Sequence, residues 1–402
     1  MNKFKNAFVA IILIIEWFEF SFYLYLGYIF SQIFFPKDDQ NGLLIIYLIF
    51  FISYLSRPVG ALIFGALSDM LGRKKPLVIS AFLVGISTMF IGFIPSYNNI
   101  GWWAPIILLI LRMLQSLSVS GEFNNSALYL IENAKFGKKL SYGSITGFGS
   151  SLGMFLGGIS ALLIMTYDTQ HQAWRYVYIA LGLVGIITCY LRRKLSESSE
   201  YKIFQNSNKF DVSFIQTVKS QYGNIIRICI IAGFMAMYIY VLNIFFSNYM
   251  VLRGWYSQDF SLFMIIIAQG FTTLLIPIYA KLVSEHNYQK YLFVAISAIG
   301  ITGVLFFNYA DNLFILIVGV SLYALANGYI STVVFYYMYS LLKIEFRCSI
   351  TSLAWAIPAT IIGGSSLPIA QVLAKHHYEN VIVFIVILFS AISWLSIKRF
   401  NK

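Results

Sequence analysis

Two acids three residues apart, Glu16 and Glu19, interrupt an apolar run near the start of the chain, and a lone arginine, Arg112, interrupts another. A charge in the hydrocarbon core of a membrane costs at least ~2.5–3.5 kcal/mol on insertion scales, so residues of this kind face a cavity and serve a function. At 100° per residue Glu16 and Glu19 lie about 60° apart on a helix, with Phe20 and Tyr23 beside them. Arg112, Gln115, Glu122 and Ser126 recur at helical spacing and share one narrow face, with Asn125 and Tyr129 nearby. Such a stripe on an apolar helix lines a central pathway. An arginine stays protonated at any relevant pH. A carboxylate paired with it stays ionised, and one left alone in an apolar cavity takes up a proton. Competition between the two states can couple a proton to a polar solute. On this reading Glu16 or Glu19 carries the proton, Glu122 acts as a relay or gate, and Arg112 pairs with an acid or holds a substrate carboxylate. The competing reading is a static ion pair that fixes two helices together.

A second charged constellation is the turn Gly65-x-x-x-Asp69-x-x-Gly72-Arg73-Lys74 between two apolar runs. The glycines allow close approach of backbone and helices. Asp69 and Arg73 can pair in one conformation and release in another. Glu132, at the end of the Arg112 segment, can complete an Asp69–Arg73–Glu132 cluster that locks an outward-open state; a solvated surface charge is the alternative for Glu132. Arg57, followed by Pro58, either snorkels to the interface or pairs internally. The second half offers amides, hydroxyls and aromatics instead: Tyr240 and Asn243, Gln269 and Thr272, Tyr323 and Asn327, and Trp355. These can recognise a polar ligand without charge, and the rings suit a cationic head group; Tyr23, Arg112 and Gln115 are the substrate-binding candidates of the first half. Singly, each also reads as ordinary helix packing.

The elements that must position these residues are membrane helices. Of the 402 residues 59% are hydrophobic and 11% charged, against about a quarter charged in soluble domains. Apolar segments fall near 6–30, 43–66, 76–95, 104–131, 140–166, 174–191, 223–250, 259–283, 290–308, 312–342, 346–371 and 379–397. The spacing predicts an all-α integral membrane protein with twelve transmembrane helices. The polar interval 192–222 divides it into an N-terminal six-helix bundle (1–191), a cytoplasmic linker and a C-terminal six-helix bundle (223–402). Alternating basic and apolar residues in the linker read either as surface helices on the inner leaflet or as a partly disordered connection. Lysine and arginine alternate between rich and poor loops, which places both termini in the cytoplasm. The net charge of +12 therefore faces membrane lipid and calls for no nucleic acid.

Cys189, Cys229 and Cys348 show neither metal spacing nor a disulfide framework. The first apolar segment is too long, and too interrupted by acids, for a cleaved signal peptide. An enzyme would need a nucleophile, an acid/base pair or a metal set, and a channel would need repeated rings of charge; the sequence offers neither. No cofactor is expected. In the second half, Glu285 and Lys290 fall where Asp69 and Lys74 stand in the first, as in a diverged repeat.

The turn at 65–74 resembles the loop 2–3 signature of the major facilitator superfamily. Glu16-Trp17-Phe18-Glu19-Phe20 with Phe34-Phe35-Pro36, and Ser56-Arg57-Pro58-Val59-Gly60, resemble the metabolite:proton symporters within it. So do Arg112-Met-Leu-Gln115-Ser-Leu-Ser-Val-Ser-Gly121-Glu122-Phe and Leu191-Arg192-Arg193-Lys194-Leu195-Ser196-Glu197-Ser198. The resemblance covers the first half, and the second adds only topology. It implies a monomeric inner-membrane secondary transporter that imports a small polar metabolite (an organic acid, amino acid or betaine) with protons by alternating access. Ser116 and Ser120 replace glycines of the family pattern, and Gly153-x-x-x-Gly157-Gly158 lacks the proline of the antiporter motif. The main rival within transport is proton-driven export of a siderophore or other amphipathic compound; an uncoupled facilitator is a third possibility. The chain ends soon after its last apolar segment, without the coiled-coil extension of osmosensing relatives.

Overall fold

A computed structural model describes residues 3–36, 41–168, 170, 172–193, 197–198, 201, 214–344 and 346–398; the side chains of residues 3–8, 121, 122 and 398 lie outside that description. Among the described residues eleven helices are long and apolar enough to cross a membrane, twelve if a pair bent by 69° counts as one span. That pair is α1, Lys3–Tyr25 followed by Gly27–Phe34. The rest of the first half is α2 (Gly42–Leu71), α3 (Lys74–Ile91), α4 (Trp103–Glu132), α5 (Lys139–Tyr167) and α6 (Ala173–Arg192). The second half is α7 (Phe214–Leu252), α8 (Gln258–Leu282), α9 (Tyr288–Tyr309), α10 (Leu313–Leu341), α11 (Arg347–Lys375) and α12 (Glu379–Ile397). The fold class expected from the sequence is the one observed.

Local chemistry explains where the helices start and bend. Ser257 Oγ accepts from Phe260 N at the start of α8 (3.4 Å), and Asn312 Oδ1 accepts from Phe314 N at the start of α10 (2.9 Å), satisfying amides that have no partner inside the helix. Pro58 cannot donate, and α2 is interrupted by a turn at Leu55–Ser56 just before it. Two π-helical stretches, Ile239–Phe245 in α7 and Ala359–Gly364 in α11, widen those helices at mid-length. The second begins directly after Pro358. π-Stretches of this sort concentrate at functional sites.

α7 starts at Phe214, inside the interval 192–222, because its first turns are anchored to the end of α10. Gln221 Oε1 accepts from Lys343 N (3.0 Å), Asn224 Nδ2 donates to Leu341 O (2.9 Å), and Phe214 meets Phe346 with ring centroids 5.4 Å apart. Of the rest of that interval, only residues 192, 193, 197, 198 and 201 are described, so the surface-helix reading falls outside the described residues.

Within the first half α1 packs on α5 and α3 on α6; within the second, α10 packs on both α8 and α9. The halves meet where α5 lies on α8 and α10, and where α2 lies on α11. Their shared seam is aromatic. Trp17 meets Phe123, which meets both Phe335 and Trp355, while Phe20 and Phe50 meet Tyr240.

Candidate functional site

Glu16, Glu19, Arg57 and Arg112 gather around one small cavity. Arg112 Nη1 donates to Glu19 Oε1 and to Gln115 Oε1 (3.2 Å), and its guanidinium lies 4.0 Å from the centroid of the Tyr23 ring. Tyr178 donates its hydroxyl to the same oxygen of Glu19 (3.1 Å), and Gln115 Nε2 donates to Thr88 Oγ1 (2.8 Å). The network joins α1, α3, α4 and α6, and Glu19 and Arg112 are both buried. Helical spacing placed Glu19 toward α1's neighbours; only the packing of α6 against α1 brought Tyr178. Glu16, Glu19, Arg57 and Arg112 line a common cavity of about 20 Å3. That is room for roughly one water, whose share of liquid volume is about 30 Å3, and far too little for a metabolite. Arg57 is buried, with its guanidinium 3.8 Å from the Tyr54 ring centroid, so it does not snorkel. The Glu122 side chain lies outside the described residues.

The amides and phenols of the second half form a chain that reaches into the first. Tyr25 of α1 donates to Asn243 Oδ1. Asn243 Nδ2 donates to Gln269 Oε1 (2.7 Å) and Tyr323 Oη (3.3 Å), and Gln269 Nε2 donates to Ser151 Oγ of α5 (2.7 Å). Asn243 sits at the middle of the first π-stretch, which turns its side chain out of ordinary helical register. Tyr240 donates to Tyr54 Oη across the seam (3.0 Å), and Tyr238 donates to Asn327 Oδ1 (2.8 Å). Asn243, Gln269 and Tyr323 thus come together with Tyr25 and Ser151, which the sequence did not single out. Asn327 sits apart with Tyr238. Trp355 joins the Phe123–Phe335 stack and shows no polar contact among the described residues.

The charged turn closes one end of the molecule. Arg73 Nη1 bonds Asp69 Oδ1 (2.7 Å) and Arg73 Nη2 bonds Glu132 Oε1 (3.2 Å). Arg347 Nη1 reaches the same Glu132 oxygen from the second half (3.4 Å). Ser349 donates its backbone amide (2.8 Å) and hydroxyl (2.6 Å) to Asp69 Oδ2 at the N-terminus of α11. Burial alone would lower the pKa of Arg73, but Glu132 and then Asp69 outweigh it and hold the guanidinium above its ordinary range. Its charge is therefore present below that ordinary value and lost only above it, so Arg73 itself stays charged at physiological pH.

The glycines of the turn have steric roles. A Cβ on Gly65 would stand 2.8 Å from Ser349 Cα, and Gly72 has φ +89° with a Glu197 carboxylate oxygen 2.2 Å from where a Cβ would be. Lys74 contributes its backbone: its amide and that of Arg73 donate to Glu197 (3.2 and 2.8 Å). Ser198 donates to Glu132 Oε2 (2.8 Å), and Tyr201 donates to Asp69 O (3.1 Å). Glu197, Ser198, Tyr201 and Arg347 were not among the sequence-derived site residues. Glu197 and Ser198 stood in the stretch that opens the linker, and that was their only signal. Among the described residues no group of three or more His, Cys, Asp or Glu could hold a metal ion.

Two halves of apolar helices, joined along a polar and aromatic seam and latched at one end by buried charge, define a helical membrane protein with the architecture of a solute carrier. The chain belongs to the Major Facilitator Superfamily, whose family model matches residues 8–357. It is 29% identical over 286 residues to the shikimate transporter of Escherichia coli K12, covering 69% of this chain and 65% of that one. It is 38% identical over 192 residues to the proline/betaine transporter of the same strain, covering 46% of this chain and 38% of the relative. The chain thus spans less than two thirds of the length of either curated relative. Among solved structures, the proton:xylose symporter XylE bound to 6-bromo-6-deoxy-D-glucose superposes with a TM-score of 0.76 at 14% identity, covering 100% of this chain and 97% of that one. The human organic anion transporter MFSD10 gives 0.74 at 13% identity, with 98% of each chain covered. At such identities the likeness is one of fold.

Proposed function

We propose that this protein is a secondary active transporter that moves a small polar metabolite together with protons by alternating access between its two halves. The observation that carries the reading is the buried Glu19–Arg112 pair beside a cavity of about 20 Å3. A cavity of that size passes a proton or a water and excludes a metabolite. Substrate must therefore enter when the seam opens, which separates Tyr54 from Tyr240 and Tyr25 from Asn243. Protonation of Glu19 releases Arg112, and the freed guanidinium holds a substrate carboxylate. Glu16 shares the cavity and is the second acid of the pathway. The Asn243–Gln269–Tyr323 group contacts the uncharged polar part of the substrate. Asp69, Arg73, Glu132 and their glycines form the latch on the cytoplasmic side.

The distribution of lysine and arginine supports cytoplasmic termini in a bacterial inner membrane, with residues 1–191 and 223–402 as the rocking bundles and 192–222 as their connection. The protein works as a monomer, with a small molecule, protons and lipid as its only partners. The relatives' names favour organic acids, amino acids and betaines as substrates.

The test is uptake into proteoliposomes under an imposed inward proton gradient, with proline, betaines and di- and tricarboxylates as the panel. Accumulation that a protonophore abolishes supports symport. Gradient-driven extrusion of a larger amphipathic compound, with no accumulation of any panel member, overturns it in favour of export.

A further inference from the structure

A cavity of about 580 Å3 lies away from the seam, between α8, α9 and α10. It falls within the roughly 300–1,000 Å3 of pockets that hold small molecules. Leu282 and Val294 stand on its rim, 76% and 65% exposed, so it opens sideways toward the bilayer rather than into the transport path. Small residues make the space: Ala295 and Ala298 on α9 and Ala326 on α10. Tyr279 and Tyr329 line its inner side. Tyr279 donates to Leu325 O (3.4 Å) and Tyr329 to Tyr288 O (2.6 Å), which turns these hydroxyls to backbone and leaves the rings to line the cavity.

The dimensions match one leaflet. From Asn287 at the mouth to Ala298 at the far end runs about 16 Å of helix at 1.5 Å per residue. A leaflet's share of a ~30 Å hydrocarbon core is about the same. The mouth is polar and basic. Ser284 and Asn287 line it, Lys281 directly precedes the rim residue Leu282, and Lys290 Nζ lies 5.7 Å from the ring centroid of Tyr291, which also lines the cavity. The acid of this turn, Glu285, faces inward, where it accepts from Lys139 N (2.6 Å) and Tyr336 Oη (3.3 Å). It therefore leaves the lysines' charge to a ligand arriving from outside.

We propose that this cleft binds an anionic phospholipid of the leaflet that the α8–α9 turn faces, with one acyl chain among Ala295, Ala298 and Ala326 and the phosphate on Lys281 and Lys290. Basic side chains near an anionic membrane surface gain attraction for such head groups, and tyrosine rings are favoured at head-group depth. The proposal rests on the membrane-spanning reading of α8–α10 and not on proton coupling; failure of the uptake test would leave it standing.

The experiment uses the full chain in bilayers with trace phosphatidylglycerol or phosphatidylcholine carrying a diazirine on the acyl chain. Cross-linked peptides are mapped by mass spectrometry. The phosphatidylglycerol probe is expected to label the peptides containing residues 279–298 and 322–329, and unlabelled phosphatidylglycerol should compete. Lys281→Gln with Lys290→Gln should cut that labelling about tenfold while leaving folding and other labelled positions unchanged. Ala298→Phe should block the cleft independently of charge. Equal labelling of the cleft by both probes, or labelling indifferent to the lysine variants, would mean ordinary boundary lipid and would overturn the proposal. So would protein–protein cross-links through this face, which would assign it to a second copy of the chain.

Discussion

Glu285 and Asp69 hold equivalent positions on opposite halves. Glu285, in the turn after α8, accepts the backbone amides of Lys139 (2.6 Å) and Leu140 (3.4 Å) at the start of α5. Asp69, at the end of α2, accepts those of Ser349 (2.8 Å) and Cys348 (3.3 Å) at the start of α11. Each carboxylate closes a helix N-terminus of the other half, where free amides and the helix dipole favour negative charge. Two latches of the same kind hold the halves together.

Asp69→Asn should loosen this end. A hydrogen bond to a charged group contributes about 1.5–3 kcal/mol, so the open population should rise roughly 10–150-fold. Cys348 is fully buried at this contact and is a native reporter once Cys189 and Cys229 are replaced by serine. Its alkylation by a membrane-impermeant maleimide should accelerate in proportion. Glu285 bonds neither Cys348 nor Asp69 among the described residues, and Glu285→Gln should accelerate the reaction as well if the halves move as rigid bodies. An unchanged rate in Glu285→Gln would show that the two latches open independently.

Proton coupling should be lost in Glu19→Gln while counterflow exchange of substrate persists, because the uncharged amide keeps the space but cannot cycle a proton. Arg112→Lys should fail to restore coupling, since an ammonium cannot reproduce the planar contacts with Glu19, Gln115 and the Tyr23 face. Arg112→Ala should cost more, about 3–5 kcal/mol, by leaving Glu19 buried without its cation, and thermal unfolding in detergent reads this directly. Undiminished proton-driven accumulation in a well-folded Glu19→Gln protein would remove Glu19 from the pathway.

Asn243→Ala should weaken substrate binding and lower stability together. The truncation strands the Gln269 carbonyl and the Tyr25 hydroxyl, groups that cost about 1–3 kcal/mol each when buried without a partner. The expected result is a rise in KM of about tenfold or more in the folded fraction, together with a lower Tm. An unaltered KM would place Asn243 in packing alone.

Gly363→Ala should destabilise the α7–α11 contact. The new methyl would stand 2.5 Å from Ala236 Cβ and 2.9 Å from Tyr240 Cε2, between the two π-stretches. Overpacking of this kind costs about 1–3 kcal/mol and should lower Tm by several degrees. Gly223→Ala, with open space around it on exposed α7, is the control and should hold or raise Tm, since alanine is favoured over glycine in a helix by up to about 1 kcal/mol.

The all-α class and the apolar membrane spans were legible in the sequence because each is a local property. Length, hydropathy and a 3.6-residue period need no knowledge of neighbours. The partners of the buried polar residues were not legible. Tyr178 reached Glu19, and Ser349 reached Asp69, through helix contacts that no local pattern encodes. The π-stretch around Asn243 was equally hidden, since a one-residue change of register leaves the apolar pattern of a fully buried helix intact.

Chemistry was written into residue types: a lone arginine and two acids in apolar segments can only be paired, solvated in a cavity or protonated, and the sequence alone required one of these. Which one was decided by packing. α6 set Tyr178 beside Glu19, and the aromatic seam shrank the shared cavity to about 20 Å3. Charge and hydropathy act over one helix and fix where the chain crosses the membrane. Distance between groups on different helices arises only when those helices meet, so the pairing of acid with base belongs to the tertiary structure.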